Sequence, residues 1–66
     1  MKNNIKILRV QNDFTQEQLA NRVSVSRQTI NAVEAGKYNP STVLALKIAN
    51  VLKTPVEDIF TLEEED

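Results

Sequence analysis

The sequence predicts an all-α domain of five short helices, and three observations carry that expectation. One Gly and two Pro stand among 66 residues, each where a helix should begin or end. Apolar residues recur at spacings of three and four through much of the chain, which is the repeat of an amphipathic helix. Hydroxyl residues that cap helices precede three of those stretches, at Thr15, Ser26 and Ser41.

A first helix is expected from Lys2 to Gln11, with Ile5 and Leu8 on one face and an end near Asn12-Asp13. Asn and Asp tolerate the left-handed conformation that closes a helix. The second start is sharper. Thr15 and Gln18 have the spacing of a capping box, and Phe14 and Leu19 that of a hydrophobic staple, so a helix should run from Gln16 to about Val23. After Ser24-Val25-Ser26, Ser26 caps a third helix from Arg27 to Ala35, with Ile30 and Val33 as its inward stripe and Gly36 closing it. Turn residues Tyr38-Asn39-Pro40 lead to Ser41, which caps a fourth helix from Thr42 to about Leu52.

That fourth helix is apolar over a wide arc, from Val43 through Leu52, with Lys47, Asn50 and Lys53 on the remainder. A helix with a single buried face needs an arc of only about 100°, so the surplus points to a central helix or one that also meets a second chain. Thr54-Pro55 opens a fifth helix through Val56 to about Ile59. Phe60-Thr61-Leu62 alternates as a brief strand that would pair with residues near Met1 to Ile5. Glu63 to Asp66 reads as a solvated, frayed tail.

Length permits one domain, residues 1–66, and no second core. The chain has no Cys and no His, which removes disulfides, the usual zinc ligands, and the commonest catalytic base and nucleophile. No stretch approaches the ~20 apolar residues of a membrane span, and no signal-peptide core follows Met1. A cytoplasmic, non-catalytic protein without metal, cofactor or small-molecule ligand is the expectation.

The net charge is −1, which at face value argues against nucleic acid as a partner. The charges are split, however. Residues 1–56 carry all eight basic side chains and three acidic ones, a balance of +5, whereas the last ten residues carry six acids and no base. Such asymmetry marks a basic working surface and an acidic tail, and the tail should sit away from whatever the basic surface binds.

Two short helices joined by about three residues, over residues 16–35, form a helix-turn-helix pattern. The residues within it are more specific than the pattern. Thr15-Gln16-Glu17-Gln18-Leu19-Ala20, Val25-Ser26-Arg27-Gln28-Thr29-Ile30, Val33-Glu34-Ala35-Gly36-Lys37 and Asn39-Pro40-Ser41 resemble the Cro/C1-type (XRE) helix-turn-helix regulators. Ala45 to Ala49 and Pro55 to Phe60 extend the resemblance, so that it spans residues 4 to 60. It implies a lambda-repressor-like DNA-binding domain. It is nearest to the small stand-alone cytolysin-repressor type, which adds a two-stranded antiparallel sheet to five helices and acts as a dimer. Asp13 departs from the family, which commonly has Gly before the second helix.

Arg27 and Gln28 open the helix that would enter a major groove. Arg bridges guanine O6 and N7, and Gln bridges adenine N6 and N7, each pair worth about 1–3 kcal/mol of discrimination. Asn31, one turn along, shares their face and is a third base reader, while Thr29 and Ala32 would meet a thymine methyl or a phosphate. Gln16 begins the second helix, where backbone N–H groups and the dipole favour phosphate, and the resemblance implies the same role. Phosphate contacts are further expected from Ser26 and, on the resemblance, from Lys37, Tyr38 and Asn39. Arg9 would contact phosphate and widen the basic surface, and Arg22 would widen it or pair with a carboxylate. Glu34 has the wrong sign for DNA and is assigned to an internal hydrogen bond or ion pair.

Ile5, Leu8, Leu19, Ala20, Val23, Val25, Ile30, Val33, Ala45, Ile48, Ala49 and Leu52 suffice for a core. Leu44, Val51, Val56, Ile59, Phe60 and Leu62 are candidates for a two-fold interface, although several of them must also pack internally. The expected function is therefore a homodimeric repressor on a palindromic operator in double-stranded DNA. The rival is an antitoxin that binds both its operator and a protein toxin, for which the acidic tail is the one segment to spare.

Overall fold

A computed structural model describes residues 1–66, in the order β1 (Lys2–Asn3), α1 (Ile5–Gln11), α2 (Gln16–Arg22), α3 (Arg27–Glu34), α4 (Thr42–Leu52), α5 (Val56–Ile59) and β2 (Phe60–Thr61). The five helices and two antiparallel strands confirm the expected class.

The caps act where the side chains predict. The Thr15 hydroxyl accepts from Gln18 N–H at 3.0 Å, and Gln18 Oε1 accepts from Thr15 N–H at 2.9 Å, completing the capping box. Ser26 Oγ accepts from Thr29 N–H, and Ser41 Oγ from Leu44 N–H, each at 3.1 Å. Asp13 has φ 61°, the left-handed geometry for which Gly is the usual choice. Ser24 and Lys53 adopt the same region at the ends of α2 and α4.

The N-terminus differs from the expectation. The first helix begins at Ile5 rather than Lys2, because Lys2 and Asn3 pair with Thr61 and Phe60. Asn3 turns the chain from strand to helix: its Oδ1 accepts from Ile5 N–H at 3.1 Å, while its Nδ2 donates to the Val33 carbonyl at 2.9 Å. Thr54 does not cap α5. Its hydroxyl donates back to the Leu52 carbonyl at 3.0 Å, and Pro55 occupies the cap position.

The core is drawn from every helix and from β2. Ile5, Leu19, Ala20, Val23, Ile30, Val33, Leu44, Ile48, Leu52, Ile59 and Phe60 are buried. Leu8, Val25, Ala45 and Ala49 pack at its margin instead of its centre. Of the six residues expected at an interface or packed internally, Leu44, Ile59 and Phe60 are the ones that join the protomer's own core. The reason is the β1–β2 pairing, continued by the Asn4 N–H to Ile59 carbonyl bond at 2.9 Å, which folds the C-terminal segment against the start of α1. Of the expected interface set, Val51 and Val56 are half-buried and Leu62 is 76% exposed. No helix is long and apolar enough to cross a membrane.

Candidate nucleic-acid interface

Helices α2 and α3 pack closely across the turn at Val23 to Ser26. Ser24 takes φ 62°, and the Val25 N–H donates to the Ala20 carbonyl at 3.0 Å, reversing the chain. Ile30 and Val33 anchor α3 in the core, so the opposite side faces outward. Arg27, Gln28 and Asn31 are all exposed there, while Thr29 and Ala32 are half-buried at the flanks. The Thr29 hydroxyl lies 3.0 Å from Ser26 Oγ, so these two side chains are paired locally.

Helix α3 ends in a Schellman motif. The Gly36 N–H donates to the Val33 carbonyl at 3.1 Å, and the Lys37 N–H to that of Ala32 at 3.0 Å. Gly36 has φ 75°, the left-handed value this motif requires. Lys37, Tyr38 and Asn39 follow as an exposed loop beside α3.

Behind the outward face lies a polar network. Arg9 Nε donates to Glu34 Oε2 at 2.8 Å, Nη2 to Glu34 Oε1 at 3.3 Å, and Nη1 to the Phe14 carbonyl at 2.8 Å. The two side chains are 11% and 7% exposed. Arg9 was expected on a phosphate, and this is corrected: its guanidinium is spent joining α1 to α3, with little surface left for a ligand. Glu34 is the acid of that ion pair, the internal role its sign had suggested. Arg22 lies over the Phe14 ring, 5.1 Å from its centroid, rather than beside a carboxylate.

Gln16 is also drawn into the network. Its Nε2 donates to Glu34 Oε1 at 3.2 Å and to Asn31 Oδ1 at 3.4 Å. The side-chain amide is thus turned toward α3, beside the first turn of α2, which Thr15 caps. Every buried side-chain nitrogen and oxygen has a hydrogen-bond partner. Neither Gln16's link to Asn31 nor Asn3's bond to Val33 has a sequence signal, because both join elements distant in the chain.

The acidic tail is not frayed. The Met1 ammonium lies 3.0 Å from both Glu63 Oε1 and Asp66 Oδ2, and the Glu63 N–H donates to Asp66 Oδ2 at 2.8 Å. Hydrogen bonds to Glu63 and Asp66 hold the ammonium above the usual α-amine range. The Glu63 N–H, followed by the ammonium, holds the Asp66 carboxyl below its usual range. Glu63 lines a shallow cleft with Met1, Asn3, Glu34 and Gly36. The tail therefore lies beside the C-terminal end of α3, not remote from it, and the base-reading candidates Arg27 and Gln28 are at the other end. No three His, Cys, Asp or Glu side chains converge as a metal site would require.

Comparison with known proteins gives the same geometry a family. The Helix-turn-helix family matches residues 5–59. The chain is 50% identical over 66 residues to an uncharacterized HTH-type transcriptional regulator of Methanocaldococcus jannaschii, covering all of both chains. It is 48% identical to the HTH-type regulator YgzD of Bacillus subtilis, again over the full length of both. Among solved structures, the restriction-modification controller protein C.AhdI from Aeromonas hydrophila superposes with a TM-score of 0.78, at 32% identity and 85% coverage of each chain. The hypothetical transcription factor NHTF from Neisseria superposes with a TM-score of 0.77 at 27% identity, covering 83% of this chain and 62% of that one. The chain belongs to the Cro/C1-type (XRE) helix-turn-helix family of DNA-binding transcription regulators.

Proposed function

We propose that this regulator is a cytoplasmic homodimeric repressor, formed from a single domain, that reads a palindromic operator through the major groove. The observation that carries the reading is the two-sidedness of α3, with Ile30 and Val33 buried and Arg27, Gln28 and Asn31 exposed together. Arg27 and Gln28 meet base edges first, at the helix N-terminus, and Asn31 follows one turn later. Thr29 and Ala32, half-buried, approach from the side of the same helix. Ser26, Lys37, Tyr38, Asn39 and the first turn of α2 hold phosphates on either side, fixing register without reading sequence.

The dimer surface in this reading is the outer side of α4 and α5. Leu46 is 56% exposed there, and with Val56, Ala45 and Pro40 it borders an apolar groove floored by Phe60. Val51, half-buried, and Leu62, exposed, are further apolar candidates for the contact outside that groove. Two-fold pairing would set the reading helices about 34–36 Å apart, on successive major grooves. Repression follows by occlusion of a promoter, and affinity falls steeply with salt as counterions are released.

Selection of bound sequences from random DNA tests both parts. A palindrome with half-sites about 10–10.5 base pairs apart is the expected result; a single asymmetric half-site would end the dimer reading. Arg27→Ala or Gln28→Ala should cost roughly 1–3 kcal/mol on the operator and relax one or two base pairs. Equal weakening on every sequence would count against base readout. Leu46→Glu should shift sedimentation toward the monomer.

A further inference from the structure

We propose that Asn31 selects guanine over adenine, because Glu34 orients Gln16 and Gln16 in turn orients the Asn31 amide. The proposal rests on the reading above that α3 lies in a major groove. A free Asn side chain pairs best with adenine, using both ends of its amide: Oδ1 accepts from N6 and Nδ2 donates to N7. The network behind α3 restricts that freedom.

The orientation passes along one donor and acceptor at a time. A carboxylate only accepts hydrogen bonds, and Glu34 is held in place by the Arg9 guanidinium at 2.8 Å. Gln16 must therefore present its NH2 end, not its oxygen, to Glu34 Oε1 at 3.2 Å. The same nitrogen has a second proton, directed at Asn31 3.4 Å away. Asn31 must answer a donor with an acceptor, so its Oδ1 turns back toward Gln16. What remains for the groove is Nδ2, which only donates.

A lone donor fits an edge that only accepts. Guanine offers O6 and N7, both acceptors, whereas adenine offers N7 beside its N6 amino donor. The pair read by Asn31 is thus a guanine site. The selectivity comes partly from Gln16 and Glu34, neither of which needs to touch a base.

The test is the affinity of the full chain for operator variants, measured as ratios at each base pair. The pair assigned to Asn31 is the one whose preference disappears in Asn31→Ala. There the unaltered protein should favour guanine over adenine by about five-fold or more, and inosine, which keeps O6 and N7, should bind like guanine. Gln16→Leu removes the orienting donor, so the guanine-to-adenine ratio should fall by about five-fold or more at that pair alone. A merely structural role for Gln16 would instead lower affinity for all sequences equally and leave the ratio unchanged, which overturns the proposal. Adenine preferred at that pair by the unaltered protein also overturns it, and this arm stands even if Gln16→Leu fails to fold. If Asn31→Ala changes no preference while Arg27→Ala and Gln28→Ala each do, Asn31 is not a reader: the proposal fails and the DNA-reading function survives. No base preference anywhere in the operator overturns both.

Discussion

Two clusters of charge flank α3, and they are built from opposite materials. One joins α1 to α3 through Arg9 and Glu34, nearly out of contact with water and with three directed bonds from a single guanidinium. The other joins the Met1 ammonium to Glu63 and Asp66 at the surface, within reach of water and salt. Similar distances conceal different consequences. Removing one partner of a shielded pair leaves a charge without water or counter-charge, whereas a surface pair is weakened by salt and by the entropy of its mobile side chains. Fold and reading face should therefore depend on the first cluster, and electrostatic tone on the second.

Glu34→Ala is the severest test of that contrast. It strands the Arg9 guanidinium, and chemical denaturation should show a loss of about 3–5 kcal/mol; a loss below 1 kcal/mol would mean that water replaces the carboxylate freely. Arg9→Lys keeps the charge but not the forked geometry, so Glu34 and the Phe14 carbonyl cannot both be satisfied. A cost of roughly 1–3 kcal/mol is expected by the same measurement.

Between the clusters sits Gly36, at φ 75° and with only the Met1 carbonyl, 4.0 Å away, near the position a Cβ would take. Space is available there, so Gly36→Ala tests backbone strain alone. About 1–2 kcal/mol should be lost, seen as a melting point lower by roughly 4–8 °C per kcal/mol.

The surface cluster should give the smallest effects, with a definite sign. The ammonium is held above its usual range, so its contribution is complete below the ordinary α-amine range and is lost as pH rises through the raised value. Asp66 is held below its usual range, so its contribution is complete above the ordinary carboxylate range and is lost as pH falls through the lowered value. The protection of the Glu63 amide, measured as its exchange rate relative to the intrinsic rate at each pH, should accordingly fall at both extremes of pH and on adding salt, while protection in the Arg9–Glu34 region changes little. Replacing Glu63, Glu64, Glu65 and Asp66 by their amides should modestly strengthen non-specific DNA binding at low salt. No change there would reduce the tail to solvated surface.

Much of this molecule was legible locally. The capping box at Thr15 and Gln18, the caps at Ser26 and Ser41, and the stop at Gly36 are each decided by residues within one or two turns. The helix boundaries around them accordingly fall within a residue of expectation. Arg27, Gln28 and Asn31 were legible for the same reason: Arg27 and Gln28 open the helix that Ser26 caps, and helical spacing turns Gln28 and Asn31 away from Ile30 and Val33. The pairing of the chain ends was legible in the alternation of Phe60-Thr61-Leu62, but not the way Asn3 ties β1 to the Val33 carbonyl, because that bond joins residues thirty positions apart. Which of Leu44, Val51, Val56, Ile59, Phe60 and Leu62 pack internally was not legible, because an apolar side chain is equally suited to its own core and to another chain's surface.

The sequence by itself thus determined the helices, their caps and the outward face of α3, since each follows from periodicity and short-range hydrogen bonding. Only the tertiary structure decided what the charges do. Arg9 could be a phosphate contact or an ion-pair partner until the packing of α1 against α3 removed it from solvent. Gln16 had no partner legible in the sequence until Glu34 stood within 3.2 Å of it. The net charge of −1 became two facts of placement: an internal pair that neutralises itself and a tail that curls beside the end of α3. Long side chains reach several partners with equal chemistry, and only distance in the folded chain selects among them.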